Sequence, residues 1–189
     1  MGILGGIIIL IVILVVIVII FIGLYNSIVS LRNKVDNSWS QIDVQLRKSF
    51  DLIPNLVETV KGYAAHERET LEKVIEARQM GVNASSVKDQ AQADNMITGT
   101  LKSLFAVAEN YPNLKADAHF TKLMEELQGI ESNIAFARQF YNDMVMQFNT
   151  RIQTFPGNIF AGMFSFKIKD YFLIDDSAAR EPVKVQITE

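Results

Sequence analysis

The chain has two histidines, His66 and His119, and no cysteine. Helical bundles that hold metal pairs most often do so through Glu-x-x-His on two helices. Tyr63 stands three residues before His66 and Ala116 three before His119, so neither histidine fits that pattern. His66-Glu67 opens a His-Glu-x-x-Thr run, which lacks the second histidine of a zinc protease. There is no P-loop, and no dinucleotide-binding glycine pattern follows a strand. Serines without a histidine in motif context make no activated nucleophile. Without cysteine, disulfides, thiolate catalysis and cysteine-bound metals are excluded. These residues point away from an enzyme, and no cofactor or metal is expected.

The residues that could form a surface are polar. Asp43, Arg47, Asp51 and Asn55 step by four, a ladder on one face if a single helix continues through Pro54. Glu58, Arg138, Asn142 and Asn149 are candidates to join it. Such a set can bind a partner or another protomer; it can equally be a solvated, salt-bridged face or a buried network that sets helix register. Trp39 lies in line with an apolar stripe and is read as core. A net charge of −3 and a pI near 5.5, without basic clusters, argue against nucleic acid as a partner.

What positions these residues begins with the leader. No charged residue precedes Arg32, and Ile3–Leu24 is nearly pure Ile, Val and Leu. About 22 residues rise roughly 33 Å as a helix, enough for a hydrocarbon core of ~30 Å. In lipid a helix satisfies its own backbone, which outweighs the β-branched propensity of the run. The run lacks a basic n-region and a small-x-small cleavage site, so it is read as an uncleaved anchor rather than a signal peptide. Gly2 and Gly6 form Gly-x-x-x-Gly at its start, a pattern that permits close helix packing. Arg32, Lys34, Arg47 and Lys48 follow the span, so the positive-inside rule puts the soluble part in the cytoplasm, N-out and C-in, at the inner membrane.

Beyond the span, Ile28, Leu31, Val35, Trp39, Ile42, Leu46, Phe50 and Ile53 recur at helical spacing. The membrane helix is therefore expected to run straight into the first soluble helix. A break is expected near Phe50–Asp51, with Pro54 in the first turn of a second helix that ends at Gly81; one helix kinked through Pro54 is the alternative. Ser86-Val-Lys-Asp89 resembles a capping box and opens a third helix, stopped by Tyr111-Pro112. A fourth begins near Ala116 and ends at Phe155-Pro-Gly-Asn158. Ile159–Ile174 is apolar and aromatic without a period. Beyond an acidic turn at Asp175-Asp176, Val183–Ile187 alternates like a short strand. The expected class is all-α: one N-terminal transmembrane helix (1–25), an antiparallel up-and-down four-helix bundle (26–156) and an aromatic tail (157–189).

The order of reversals then carries the tail back to the bilayer. Phe155, Ile159, Phe160, Met163, Phe164 and Phe166, with Lys167 and Lys169, are expected to form an interfacial foot or a seam between protomers, or else a lid on the bundle. A continuous helix through Pro54 would reverse this parity and place the tail far from the membrane.

Several long segments resemble the LemA family: Leu24–Asn33, Trp39–Lys48, Asp51–Tyr63, Ala137-Arg-Gln-Phe-Tyr-Asn142, Phe155-Pro-Gly-Asn158 and Phe164-Ser-Phe-Lys167. The resemblance covers nearly the whole chain and implies an N-terminal anchor with a four-helix bundle. Ser165 stands where the family pattern usually has glycine, a departure that bears on the local turn. The family is described by fold and location, so it adds no reaction. The expected role is a membrane-held scaffold or interaction protein that self-associates and meets a membrane-protein partner. A signalling or stress-response regulator that docks a protease or sensor is the alternative.

Overall fold

A computed structural model describes residues 2–173. The turn at Asp175-Asp176 and the alternating Val183–Ile187 lie outside the described residues. The elements are α1 (Ile3–Tyr63), α2 (Arg68–Asn83), α3 (Val87–Ala108), α4 (Pro112–Lys115), α5 (Ala118–Gln153) and α6 (Gly157–Phe164). There is no strand among the described residues. By length and composition α1 is able to cross a membrane, and none of its most apolar stretch is buried.

The break expected at Phe50–Asp51 is absent. α1 continues through Pro54, which sits inside the helix. Proline has no N–H to give the carbonyl four residues back, here that of Phe50. Arg78 on α2 fills the gap: its Nε donates to the Phe50 carbonyl at 2.8 Å. The chain reverses instead at Ala64–Glu67, so the expected second helix is divided between α1 and α2. Gly81 is not a helix end either. It lies inside α2, and a methyl group there would run into the Phe50 ring, so the glycine serves close packing.

The caps follow side-chain chemistry. Ser86 Oγ accepts the Asp89 N–H at 3.1 Å and starts α3, as expected. Pro112 opens the one-turn α4 after α3 has ended at Ala108. Asp117 Oδ1 accepts the N–H groups of His119 and Phe120 at 2.8 and 2.9 Å, capping α5. These bonds, the Phe120 one foremost, hold the Asp117 carboxyl below its ordinary pKa. Tyr63 donates to the other carboxylate oxygen at 2.8 Å, which raises the phenol's own pKa.

The tail read as aperiodic contains α6. Two turns are too short for a helical period to emerge from so apolar a run. A methyl group on Gly157 would fall on the Arg151 carbonyl oxygen, which restricts that position to glycine. α6 ends on Ser165, whose φ of 55° and ψ of 36° are left-handed.

The chain divides into two compact units. The first comprises Met1–Ile42 and Phe136–Asp170; the second takes Asp43–Ala135 and the chain from Tyr171. In the first, Ile28, Val35 and Ile42 of α1 are buried, as are Tyr141, Val145, Phe148 and Ile152 of α5 and Phe160 of α6. Each buried side chain of this size contributes about 1.5–3 kcal/mol. In the second, α2 packs along α3, and the buried set includes Leu46, Phe50, Ile53, Leu56 and Val60 with Leu71, Val74, Ile97, Leu101, Leu104, Phe120 and Leu127.

Candidate functional site

The aromatic tail meets the end of the apolar span. The Phe160 ring lies 4.5 Å from that of Phe21, and Phe164 lies 4.7 Å from Tyr25. Phe166 stands 6.2 Å from Tyr25 and 6.4 Å from Phe148. Phe160 is buried, whereas Phe155, Ile159, Met163 and Phe164 remain exposed. One side of α6 therefore covers the end of the span and the other stays open. A continuous α1 does not send the tail away, contrary to the parity argument, because the reversal lost at Phe50–Asp51 reappears at Ala64–Glu67.

Beyond Ser165 the chain becomes a strap. The buried Asn149 amide donates to the Lys169 carbonyl and accepts the Lys169 N–H, both at 2.9 Å. Tyr141 donates its hydroxyl to the Asp170 carbonyl at 2.9 Å. Burial, aided by Asp170 and Asp36, pushes that phenol up to about 12. Lys169 pairs with Asp36 at 2.8 Å, while Lys167 is exposed. Asn149 is thus a clamp on the strap. Sequence reasoning grouped it with the polar ladder because an amide that binds distant backbone leaves no local signature.

Of the ladder, Asp43 and Arg47 are brought together at 2.9 Å. Asp51, Asn55 and Glu58 are exposed on α1, and Asn55 uses its carbonyl to accept the Thr59 hydroxyl at 2.8 Å. Arg138 and Asn142 lie half-buried on α5 in the first unit. Trp39 is half-buried, with its ring 5.7 Å from Tyr141. Gly2 and Gly6 are exposed, and a methyl group at either would meet nothing in this chain. His66 and His119 are exposed, and no acidic or histidine cluster is placed to hold a metal among the described residues.

Comparison with known proteins adds the lineage. The profile described as the LemA family matches residues 38–187. The chain is 28% identical to Protein LemA of Metamycoplasma hominis over 146 residues, 75% of this chain and 65% of that protein. It is 26% identical to Magnetosome protein MamQ 2 of Paramagnetospirillum magneticum over 174 residues, 78% of this chain and 64% of that one. With Magnetosome protein MamQ of Magnetospirillum gryphiswaldense the identity is 22% over the same length and shares. The chain spans just under two thirds of the length of these relatives. The profile takes in most of the chain, the tail included, and on that ground this protein belongs to the LemA family.

Proposed function

We propose that this protein is a single-pass, membrane-tethered interaction protein that self-associates and scaffolds a membrane partner at the inner membrane, its soluble part in the cytoplasm. One observation carries the reading. α6 seats Phe160 on Phe21 and Phe164 on Tyr25 at the end of the apolar span and leaves Ile159 and Met163 exposed beside them. A short helix with an open apolar side at that level suits the headgroup boundary or a seam with another protomer, and the soluble fold is then tied to the membrane at two places. In the second unit, the α1 segment beyond Asp43, α2, α3 and the first half of α5 supply four helical segments; we take them to form an antiparallel up-and-down bundle. The exposed acidic and amide groups Asp51, Asn55 and Glu58, with the Asp43–Arg47 pair, offer a surface for the partner.

Confinement to a plane raises effective concentration, so weak lateral contacts are sufficient for assembly. The test is the mass of the full chain in mild detergent by light scattering, over a range of protein-to-detergent ratios. A species of two or more chains is expected. A strict monomer at the highest protein density would remove self-association from the proposal.

A further inference from the structure

We infer that α6 and the start of the strap form a docking site for anionic phospholipid, with Ile159 and Met163 among the upper acyl carbons and Lys167 and Arg151 at the headgroup phosphate. The inference rests on the interfacial reading above and gives that interface its lipid class.

Depth is set by what α6 touches. Phe21 lies within the apolar run Ile3–Leu24, and its ring is 4.5 Å from that of Phe160. A helix seated on Phe21 shares the depth of the last turn of the span, so its open side meets acyl chains wherever the span does. That open side carries Ile159 and Met163, 52% and 62% exposed. The strap then climbs away from this level. Phe166 lies beside Tyr25, Lys169 reaches Asp36, and the Asp170 carbonyl bonds Tyr141, whose ring packs near Trp39. Lys167 follows Phe166 directly and is exposed, so it is the first charge of the strap above the apolar layer. From that height a lysine extends its ammonium into the headgroups while its methylenes stay lower.

Charge selects an anionic lipid as the occupant. Arg151 stands in the last turn of α5, and its carbonyl is the group that a methyl on Gly157, the first residue of α6, would strike. Its Nε is buried without a hydrogen-bond partner, and no ion pair engages the guanidinium among the described residues. An anionic phosphate supplies both the missing charge and the acceptor oxygens. The acids of the same unit stand farther from the span. Asp36 is taken up by Lys169 at 2.8 Å, Asp143 lies eight residues before Arg151, and Asp170 is at the height of Tyr141. The first unit holds six Lys and Arg against three Asp, whereas residues 43–135 hold ten against fourteen acids. The positive excess belongs to the unit that contains the span, where an anionic leaflet attracts it. A headgroup without net charge gives no such gain.

For the test, the full chain carries Trp39→Phe and Ile159→Trp, which puts its one tryptophan on α6, and is reconstituted in phosphatidylcholine liposomes. Two quenchers brominated in the upper acyl chain are compared at the same low mole fraction, phosphatidylglycerol and phosphatidylcholine. Phosphatidylglycerol is expected to quench as if enriched roughly threefold around α6. Lys167→Gln and, separately, Arg151→Gln should each lower that enrichment by about half. Lys102→Gln with Lys115→Gln, two exposed cations of the second unit, should leave it unchanged. Lys167→Gln alters only an exposed side chain, so it reads the site even where Arg151→Gln unfolds the chain. Equal quenching by the two lipids overturns the inference and leaves the interfacial foot standing. An enrichment that Lys167→Gln does not change also overturns it, because the selectivity then belongs to other cations. Quenching by neither lipid refutes the foot as well and gives the open side of α6 to another protein surface.

Discussion

Ser165 holds φ 55° and ψ 36° at the end of α6, where a side chain crowds the backbone. A non-glycine residue there gives up roughly 1–2 kcal/mol, partly offset by the freedom glycine loses on folding. Ser165→Gly is therefore expected to stabilise the fold by about 1 kcal/mol, read as a higher urea midpoint with unchanged slope; a lower midpoint would contradict this. Tyr141 provides a pH signature. Its phenol is held at about 12 in the fold against 10.0 when free, so the folded state keeps the proton more tightly. That contribution is complete below about pH 10 and is lost as pH rises through about 12. Tyr141→Phe is expected to flatten the alkaline loss of stability and to cost about 1 kcal/mol at neutral pH, since the Asp170 carbonyl loses its donor. An unchanged alkaline slope would show that other groups set it. Of these two residues, Ser165 was partly legible, as a departure from a glycine pattern. The partner of Tyr141 lies 29 residues away and left no local trace.

At the scale of elements, α1 is the long helix that its apolar spacing foretold from Ile28 to Ile53, yet proline statistics alone misplaced its end. Position i−4 of a proline is a lost acceptor only where nothing else can donate to it. Here Arg78 does so from α2, and the Phe50 ring beneath it packs on Gly81. Arg78→Met is expected to destabilise by roughly 1–3 kcal/mol, because the partly buried Phe50 carbonyl is left without this donor. Pro54→Ala in the same chain returns an N–H to that carbonyl and should recover most of the loss. The check is a double-mutant cycle in denaturant, and losses that simply add within about 0.5 kcal/mol would disprove the coupling. By contrast the Ser86 half of the cap was legible, since its bond from the Asp89 N–H spans three residues and lies within the motif.

For the whole molecule, the decisive contact is that of Phe160 with Phe21, two residues separated by nearly the full length of the soluble chain. It brings α6 to the end of the span and sets which of its side chains remain open. Met163, exposed on α6, is the position to probe. With Trp39→Phe removing the only native tryptophan, Met163→Trp in liposomes should be quenched by lipids brominated near the headgroups. Fluorescence that is insensitive to those lipids but quenched by aqueous iodide would place α6 in water and sink the interfacial foot.

The sequence by itself determined the apolar span, the helical class, the buried stripe of α1, the start of α3 and the lack of the usual catalytic or metal-binding patterns. All of these follow from composition or from spacings within a few residues. Tertiary structure alone decided where the chain turns back after α1, that the tail makes a helix and a strap, and that Asn149 and Tyr141 hold that strap by Lys169 and Asp170. Those outcomes depend on partners 20 or more residues apart, such as Arg78 with Phe50 and Asn149 with Lys169. Local periodicity records which side of a helix is apolar; it carries no record of which distant backbone group a side chain will satisfy.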